Sequence, residues 1–196
     1  DFLMVMSAMD FVGSGDLTLD VYDLIIKGEG NIVNVAYEGI EYLTSKSLAI
    51  DSEINVDLKN MKFGVNGASL KLNDFGFGID GYLAMPGDDI EMDAKFYGED
   101  NNFRSALSLV PGVYSASFDD LKTSGEMDFS GALKGVYNEN TFPSFQFGLA
   151  IKEGMFQYPD LPRPVQHVNL ELKVVNESGN LDYTSIDLST FSLEFG

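Results

Sequence analysis

The sequence predicts an all-β fold in which one long, curved, mainly antiparallel sheet dominates. Apolar and polar residues alternate with a period of two along most of the chain, and this period indicates half-buried strands rather than helices. Glycines recur inside the strand segments, where they permit bulges and strong curvature. Only one short segment, near residues 101–120, has the spacing of a helix. We therefore expect an open groove or a flattened half-barrel with a short broken helix beside it.

The alternation is clearest from Leu48 to Leu58, where aliphatic residues occupy one parity and carboxylates or Asn the other. Ahead of it, residues 2–11 are apolar and Met-rich and fit either a strand or a short helix. Residues 17–26 and 31–37 have the alternation of strands. Residues 39–47 fit a connection.

Turn residues divide the middle of the chain into further strands. Lys59-Asn60, Asn73-Asp74 and Pro86–Asp89 are typical of turns, and strands are expected between and after them, up to Tyr97. Farther on, the strand-like segments are 126–130, 132–137, 144–152, 155–158, 165–175, 182–188 and 191–195. A turn is expected at Glu153-Gly154 and a rigid extended connection at Pro159–Pro164, whose prolines cannot donate to a ladder.

The segment near 101–120 is the one predicted helix. The apolar spacing from Phe103 to Val110 is helical, and either Asn101 or Asn102 can cap its start. Pro111 should split the segment into two short pieces, because its ring clashes with a continuing helix. No linker or change of composition divides the chain, so we expect residues 1–196 to form a single domain.

The net charge of −19 restricts the partners. Binding to nucleic acid requires clustered Lys and Arg, and docking on anionic lipid headgroups requires basic residues too, so neither is expected. The carboxylates fit the solvent faces of strands, where they limit edge-to-edge association. With no cysteine in the chain, disulfides and thiolate metal sites are excluded.

The residues with reactive side chains form no recognisable catalytic pattern. His167, the only histidine, lies on the parity opposite Val168 and should face solvent. Four carboxylates between Asp88 and Asp93 resemble part of a calcium loop, but the glycine that such a loop requires is absent. We expect no enzyme activity, no cofactor and no metal site.

A family resemblance rests on the order of segments in the second half of the chain. These segments are Leu107–Tyr114, Lys122–Gly125, Ser130–Tyr137, Phe142–Phe147, Gly154–Pro162 and Asn176–Asp182. Their order resembles the C-terminal region of AsmA-like proteins, a group that includes TamB-type and YhdP-type envelope proteins. The first half of the chain matches only in its strand pattern.

The resemblance implies a periplasmic location and a membrane-anchored full-length protein. Such proteins are anchored in the inner membrane by an N-terminal helix outside this chain. Their long β-groove is thought to shield phospholipid acyl chains in outer-membrane assembly and homeostasis, with possible envelope protein partners. The resemblance supplies no catalytic or cofactor-binding residues.

The amphipathic pattern raises the question of what covers the apolar face. A single sheet must bury that face, and one short helix is too small to cover it. Lipid acyl chains are one cover, and the predicted groove-lining residues are the apolar parity of the clearest strands: Ile50, Ile54, Val56, Leu58, Ile90, Met92, Phe96, Phe145, Phe147, Leu149, Ile151, Val168, Leu170 and Leu172.

Other readings remain open from the sequence. The same residues could be ordinary core in a structural spacer of the cell envelope. A closed β-sandwich that binds protein or glycan through its loops is a further alternative, although such loops are usually rich in aromatic residues, whereas here Phe lies within the strands.

Overall fold

The computed structural model describes residues 2–37, 40–99, 101–102, 104–105, 121–158 and 162–196, with the backbone alone for residues 2, 33, 37 and 40–44. The strands are β1 (Phe2–Ser14), β2 (Val21–Tyr37), β3 (Ile40–Asp57), β4 (Lys62–Leu72), β5 (Phe75–Ala84), β6 (Ile90–Glu99), β7 (Lys122–Tyr137), β8 (Ser144–Gln157), β9 (Val165–Asn176) and β10 (Ser185–Phe195). A single 3-10 turn, Leu181–Tyr183, lies just before β10.

The ten strands named above, which the described residues form, belong to one antiparallel sheet, and their order in the sheet is their order in the chain. Strands β1 and β10 form the two edges and do not pair with each other, so the sheet is open. Extensive contacts join only neighbouring strands. The all-β prediction is therefore confirmed. A β-sandwich would divide the strands between two sheets, which the described strands do not do.

Two segments near the start of the chain that the sequence left open or assigned to a connection belong to strands. Residues 2–11 belong to β1, which pairs with β2 along its length. The segment 39–47, predicted to be a connection, is instead mostly strand, because β3 begins at Ile40 and pairs with Tyr37. The hydrogen-bonded ladder between β2 and β3 continues through this segment, in which polar residues interrupt the alternation of apolar and polar side chains.

At two positions where the sequence predicts a break between strands, the structure has a bulge within one longer strand. The predicted turn at Glu153-Gly154 lies inside β8, at a register shift between Ile151 and Gly154. A similar shift in β4 surrounds Gly67, whose φ is +66°. There the carboxylate of Asp80 accepts a 2.6 Å hydrogen bond from the Gly67 N–H. A bulge accommodates one extra residue without ending the strand.

The predicted helix near 101–120 lies mostly outside the described residues, but its start is visible. Arg104 and Ser105 have helical backbone. The side chain of Asn102 accepts a 3.0 Å hydrogen bond from the Ser105 N–H, and Ser105 Oγ accepts one of 3.0 Å from the Asn102 N–H. This reciprocal pair has the arrangement of a capping box, so Asn102 is the cap.

Aromatic rings lie over cross-strand glycines on the sheet. A Cβ atom added at Gly131 would overlap the ring of Phe96, which lies directly opposite in β6. A Cβ atom added at Gly28 would lie 2.6 Å from a ring carbon of Phe11, directly opposite in β1, and closer still to the carbonyl oxygen of Asp10. Because glycine has no side chain, a ring can lie flat against the neighbouring strand and bury more of its surface there.

The most buried hydrophobic cluster is formed in the same way. Phe75 of β5, Met127 of β7 and Ile151 of β8 are its centre. The rings of Phe75 and Phe129 stack with centroids 5.1 Å apart, although β5 and β7 lie on either side of β6, about 9.6 Å apart. Gly98 of β6 leaves room for this contact, since a Cβ there would be 3.0 Å from Phe129.

We expect Gly131→Ala to lower the free energy of unfolding by about 1–3 kcal/mol, because the new methyl group forces the Phe96 ring off its strand. Gly148→Ala is the matched control: its Cβ would meet Ser130 Oγ at 3.7 Å, an ordinary contact, so its effect should be within about 0.5 kcal/mol. Urea denaturation of both variants measures the difference. Equal destabilisation by the two substitutions would contradict the role given to the ring.

Candidate functional site

The pairing of the strands places apolar residues on one continuous face of the sheet. Directly opposed residues of antiparallel strands point to the same side, and two such rows are Ile50–Leu70–Phe77 and Phe129–Leu149–Leu172. We call this side the apolar face. Its members, one from each strand from β2 to β10, include Leu24, Ile50, Leu70, Phe77, Phe96, Phe129, Leu149, Leu172 and Leu188.

The register brings the predicted groove-lining residues to this one face, with one exception. Leu58 follows the end of β3 in the turn and is 46% exposed. Val56, Ile151 and Val168 are buried. The remaining predicted residues are half-buried on the apolar face: Ile50, Ile54, Ile90, Met92, Phe96, Phe145, Phe147, Leu149, Leu170 and Leu172.

Sequence reasoning missed three residues at the centre of the apolar face. Phe75, Met127 and Phe129 belong to the buried cluster and its surroundings but were absent from the predicted set. For β7 a signal was available: Met127, Phe129 and Leu133 share one parity, and Gly131 interrupts the pattern between them. For Phe75 no such signal exists, because its ring stacks on Phe129 across the intervening strand β6.

The described residues cover most of the apolar face only from the side. Its residues contact neighbours on the same face and on adjacent strands, and the described residues include no second sheet. The outcome is a face that is half-buried over most of its area.

The opposite face, which we call the polar face, is held by cross-strand polar contacts. Lys27 pairs with Asp51 at 2.8 Å, and Lys134 pairs with Asp93 at 2.6 Å. The hydrogen bond and charge of Asp93 raise the pKa of Lys134 above its ordinary value. Three of these four side chains are more than 60% exposed and that of Asp93 is 37% exposed, so each pair adds little to stability.

The acidic stretch from Asp88 to Asp93 is divided among separate partners. Asp89 accepts a 2.8 Å hydrogen bond from the side chain of Asn138. Glu91 accepts one of 2.6 Å from the hydroxyl of Tyr82, which raises the pKa of that tyrosine. Among the described residues no group of three or more carboxylate, histidine or cysteine side chains has the geometry to hold a metal ion.

A hollow of about 680 Å³ lies along β6–β10. On the polar face its lining includes the small residues Ala132, Gly148 and Ala150, with Lys95 and Lys173 on the two flanking strands. It arises because these small side chains leave space between taller neighbours. It is open to solvent and brings no catalytic set of residues together.

His167 is exposed, as predicted, and it has a partner that the sequence did not indicate. Its Nδ1 lies 2.6 Å from a carboxylate oxygen of Glu153, across β8 and β9. Asn169 accepts a 3.1 Å hydrogen bond from the Glu153 N–H. Glu153 and His167 have φ values of +48° and +50°, rarely adopted by residues other than glycine. The two strands thus meet here in bulged backbone.

The hydrogen bond to Glu153 is the main cause that raises the pKa of His167 above 6.5. The negative charges of Glu153 and Glu194 raise it further. The hydrogen bonds from His167 and Asn169 lower the pKa of Glu153 below 4.5. Both side chains are solvent-exposed, so this pair is a local electrostatic contact rather than a candidate catalytic dyad.

The comparisons with known proteins give no match: no family model fits the sequence, and no curated protein or solved structure is significantly similar to it.

Within the described part of the chain, no helix is both long enough and apolar enough to cross a membrane.

Replacing the partner of the only histidine tests this electrostatic contact. We expect Glu153→Gln to lower the pKa of His167, measured by following the imidazole Hε1 resonance during an NMR pH titration.

A raised pKa of His167 means that the pair stabilises the fold fully below pH 6.5. This contribution is lost as the pH rises through the pKa that His167 has in the folded state. On the acid side, the contribution of Glu153 is present above pH 4.5 and is lost as the pH falls through its lowered folded-state value. Glu171→Gln, also on the polar face, should leave the titration unchanged, and equal shifts in both variants would contradict the pairing.

Proposed function

We propose that this chain is a non-enzymatic periplasmic segment of an AsmA-like protein that holds or conducts phospholipid acyl chains on its apolar face. The full-length protein would be anchored in the inner membrane and would act in outer-membrane assembly or homeostasis. The single observation that supports this proposal best is the continuous apolar face of an open ten-stranded sheet. The resemblance of residues 107–182 to AsmA-like proteins supplies the biological setting.

The dimensions of the sheet suit an extended hydrocarbon chain. Ten strands at about 4.8 Å spacing span about 43 Å, and rows such as Phe129–Leu149–Leu172 cross the strands without a polar interruption. Each buried methylene group contributes about 0.8 kcal/mol, so ten of them contribute about 8 kcal/mol. An acyl chain could therefore bind by apolar contact alone.

The distribution of charge favours the acyl chain over the headgroup as the part that is bound. Most charged residues of the paired strands, including Asp51, Asp93 and Glu171, lie on the polar face, with Lys46, which is opposite Ile32, as an exception. The net charge is −19. This charge repels anionic headgroups. A phospholipid would thus place its tails on the apolar face and keep its headgroup in solvent.

A second candidate function is that of a structural spacer in the cell envelope. It is favoured by the cluster around Phe75, Met127 and Ile151, which the protein's own residues bury. In a spacer, the apolar residues would serve only to stabilise the sheet by packing against their neighbours on adjacent strands. The two candidate functions differ in whether the purified chain binds lipid.

We expect Leu149→Asp to reduce bound phospholipid at least about tenfold, because an ionised carboxylate on the apolar face costs several kcal/mol to bring into contact with a hydrocarbon chain. The measurement is native mass spectrometry and lipid extraction of the purified protein after incubation with phosphatidylethanolamine vesicles. Circular dichroism checks that the variant keeps its sheet.

The matched control is Gln146→Asp, which adds the same charge to the same strand but on the polar face. It should retain the lipid bound by the unmodified chain. If the unmodified chain carries no lipid, or if both variants lose it equally, the acyl-chain proposal is wrong and the spacer is favoured.

A further inference from the structure

The bulge of β4 contains the sequence Asn66-Gly67, and this is the one place in the chain where asparagine is followed directly by glycine. The pairing of β4 with β3 and with β5 is interrupted at these two residues, so neither belongs to the ladder on either side. Both residues are exposed. The sequence therefore lies at an accessible irregularity inside an otherwise continuous strand.

An asparagine followed by glycine has a reaction of its own. The backbone nitrogen of the glycine attacks Cγ of the asparagine, a succinimide ring closes and ammonia leaves. Water then opens the ring at either carbonyl and leaves aspartate or isoaspartate. Glycine favours ring closure because it has no Cβ to obstruct the ring. The attacking nitrogen must lose its proton, so a base within hydrogen-bond distance of it should accelerate the reaction.

The Gly67 nitrogen has such a base in Asp80, which lies in β5 opposite the bulge. The carboxylate oxygen Oδ1 of Asp80 accepts a hydrogen bond of 2.6 Å from the Gly67 N–H. A general base must lie about 2.6–3.2 Å from the atom whose proton it takes, and Asp80 meets this condition. The nucleophile and the base are therefore already in contact in the folded sheet.

The Asn66 side chain has room to reach that nitrogen. It lines an open hollow of about 320 Å³ on the polar face, together with Asp23, Glu53 and Asn55. Within the described part of the chain, its amide forms no hydrogen bond, whereas the amide of Asn55 donates one of 2.8 Å to Asp23. At Gly67, whose φ is +66°, an added Cβ would meet nothing within 4 Å. The ring can therefore form without displacing a neighbour.

We propose that Asn66 is a self-modification site at which the Asp80 carboxylate acts as the general base. Asp80 takes the proton of the Gly67 nitrogen as that nitrogen bonds to Cγ of Asn66. The bond between Cγ and Nδ2 then breaks, and the same proton passes to the departing amide nitrogen, which leaves as ammonia. Water opens the succinimide and supplies the new oxygen. This reaction is independent of lipid binding on the apolar face.

The product changes the charge of the hollow. A carboxylate at position 66 adds a negative charge beside Asp23 and Glu53, and like charges that lie close together on a sheet destabilise it. An isoaspartate also adds one methylene group to the backbone of β4. Modification of Asn66 should therefore loosen the sheet at the bulge.

The test incubates the folded chain in heavy-oxygen water and follows residue 66 by peptide mass spectrometry, with electron-transfer fragmentation to identify isoaspartate. We expect oxygen to be incorporated at position 66 much faster than at Asn60, whose amide donates a 2.7 Å hydrogen bond to Asp57 and which precedes methionine. Asn66→Gln should abolish incorporation at this position, because a glutamine must close a larger ring.

Removing the base separates its role from that of the sequence. Asp80→Ser keeps a hydrogen-bond acceptor without a carboxylate and should slow conversion at least about tenfold between about pH 5 and 7. Asparagine is avoided at this position because it would create a second site with Gly81. The matched control is Glu53→Gln, which removes a carboxylate from the same hollow and should leave the rate unchanged. In urea, the unmodified chain and Asp80→Ser should react equally, because the contact with Gly67 exists only in the folded sheet.

A pH profile of the unmodified chain tests the base without any substitution. With Asp80 as the base, the rate in the folded chain should rise less steeply than the hydroxide concentration between about pH 5 and 7, whereas in urea it should follow hydroxide. The other titratable groups beside Asp80 are Lys95, directly opposite in β6, and Tyr97, whose pKa the charge of Asp80 raises. Lysine and tyrosine titrate at about pH 10, so neither changes charge in this range.

Three results would overturn the proposal. One is an Asn66 that stays unmodified in the folded chain while it reacts in urea. Another is an equal or faster reaction in Asp80→Ser with its circular dichroism unchanged, which would mean that the hydrogen bond protects the Gly67 nitrogen. The third is a folded-state rate that follows hydroxide throughout the range, and this result decides the question even if Asp80→Ser does not fold.

Discussion

Lateral packing on one side of a single sheet is the interaction on which this structure depends. In a two-layer fold, apolar side chains are buried from above by a second layer. Here most of the burial comes from the neighbouring strands, and aromatic rings extend over cross-strand glycines to achieve it. Phe96 over Gly131 and the stack of Phe75 on Phe129 beside Gly98 are the clearest cases. The glycines weaken their own strands, but they allow the rings to cover backbone that would otherwise be exposed.

The separation of the two faces gives the chain its chemical character. The apolar face gathers aliphatic and aromatic residues from successive strands, and the polar face carries carboxylates held by cross-strand contacts such as Lys134–Asp93. A sheet of this kind presents charged and polar groups on one side and apolar side chains on the other. The proposed function uses the apolar face.

The candidate site could be predicted from the sequence to a large extent. The period of two assigned each strand residue to a face, and the predicted set, from Ile50 to Leu172, lies on one face apart from Leu58. The predicted strand boundaries were wrong where the alternation of apolar and polar residues was interrupted. Residues 39–47 were predicted to be a connection, and the bulge at Glu153-Gly154 was predicted to be a turn, because a bulge and a turn have the same local composition.

The sequence by itself determined that the chain is all-β, that its strands have one apolar and one acidic side, and that His167 is exposed. Only the tertiary structure decided which residues are neighbours. Periodicity is a property of one strand, whereas the order of strands in the sheet brings together residues distant in the chain, as with Phe75 and Phe129, whose strands lie on either side of β6. For the same reason the sequence did not show the contact of His167 with Glu153, which depends on the register of β8 against β9.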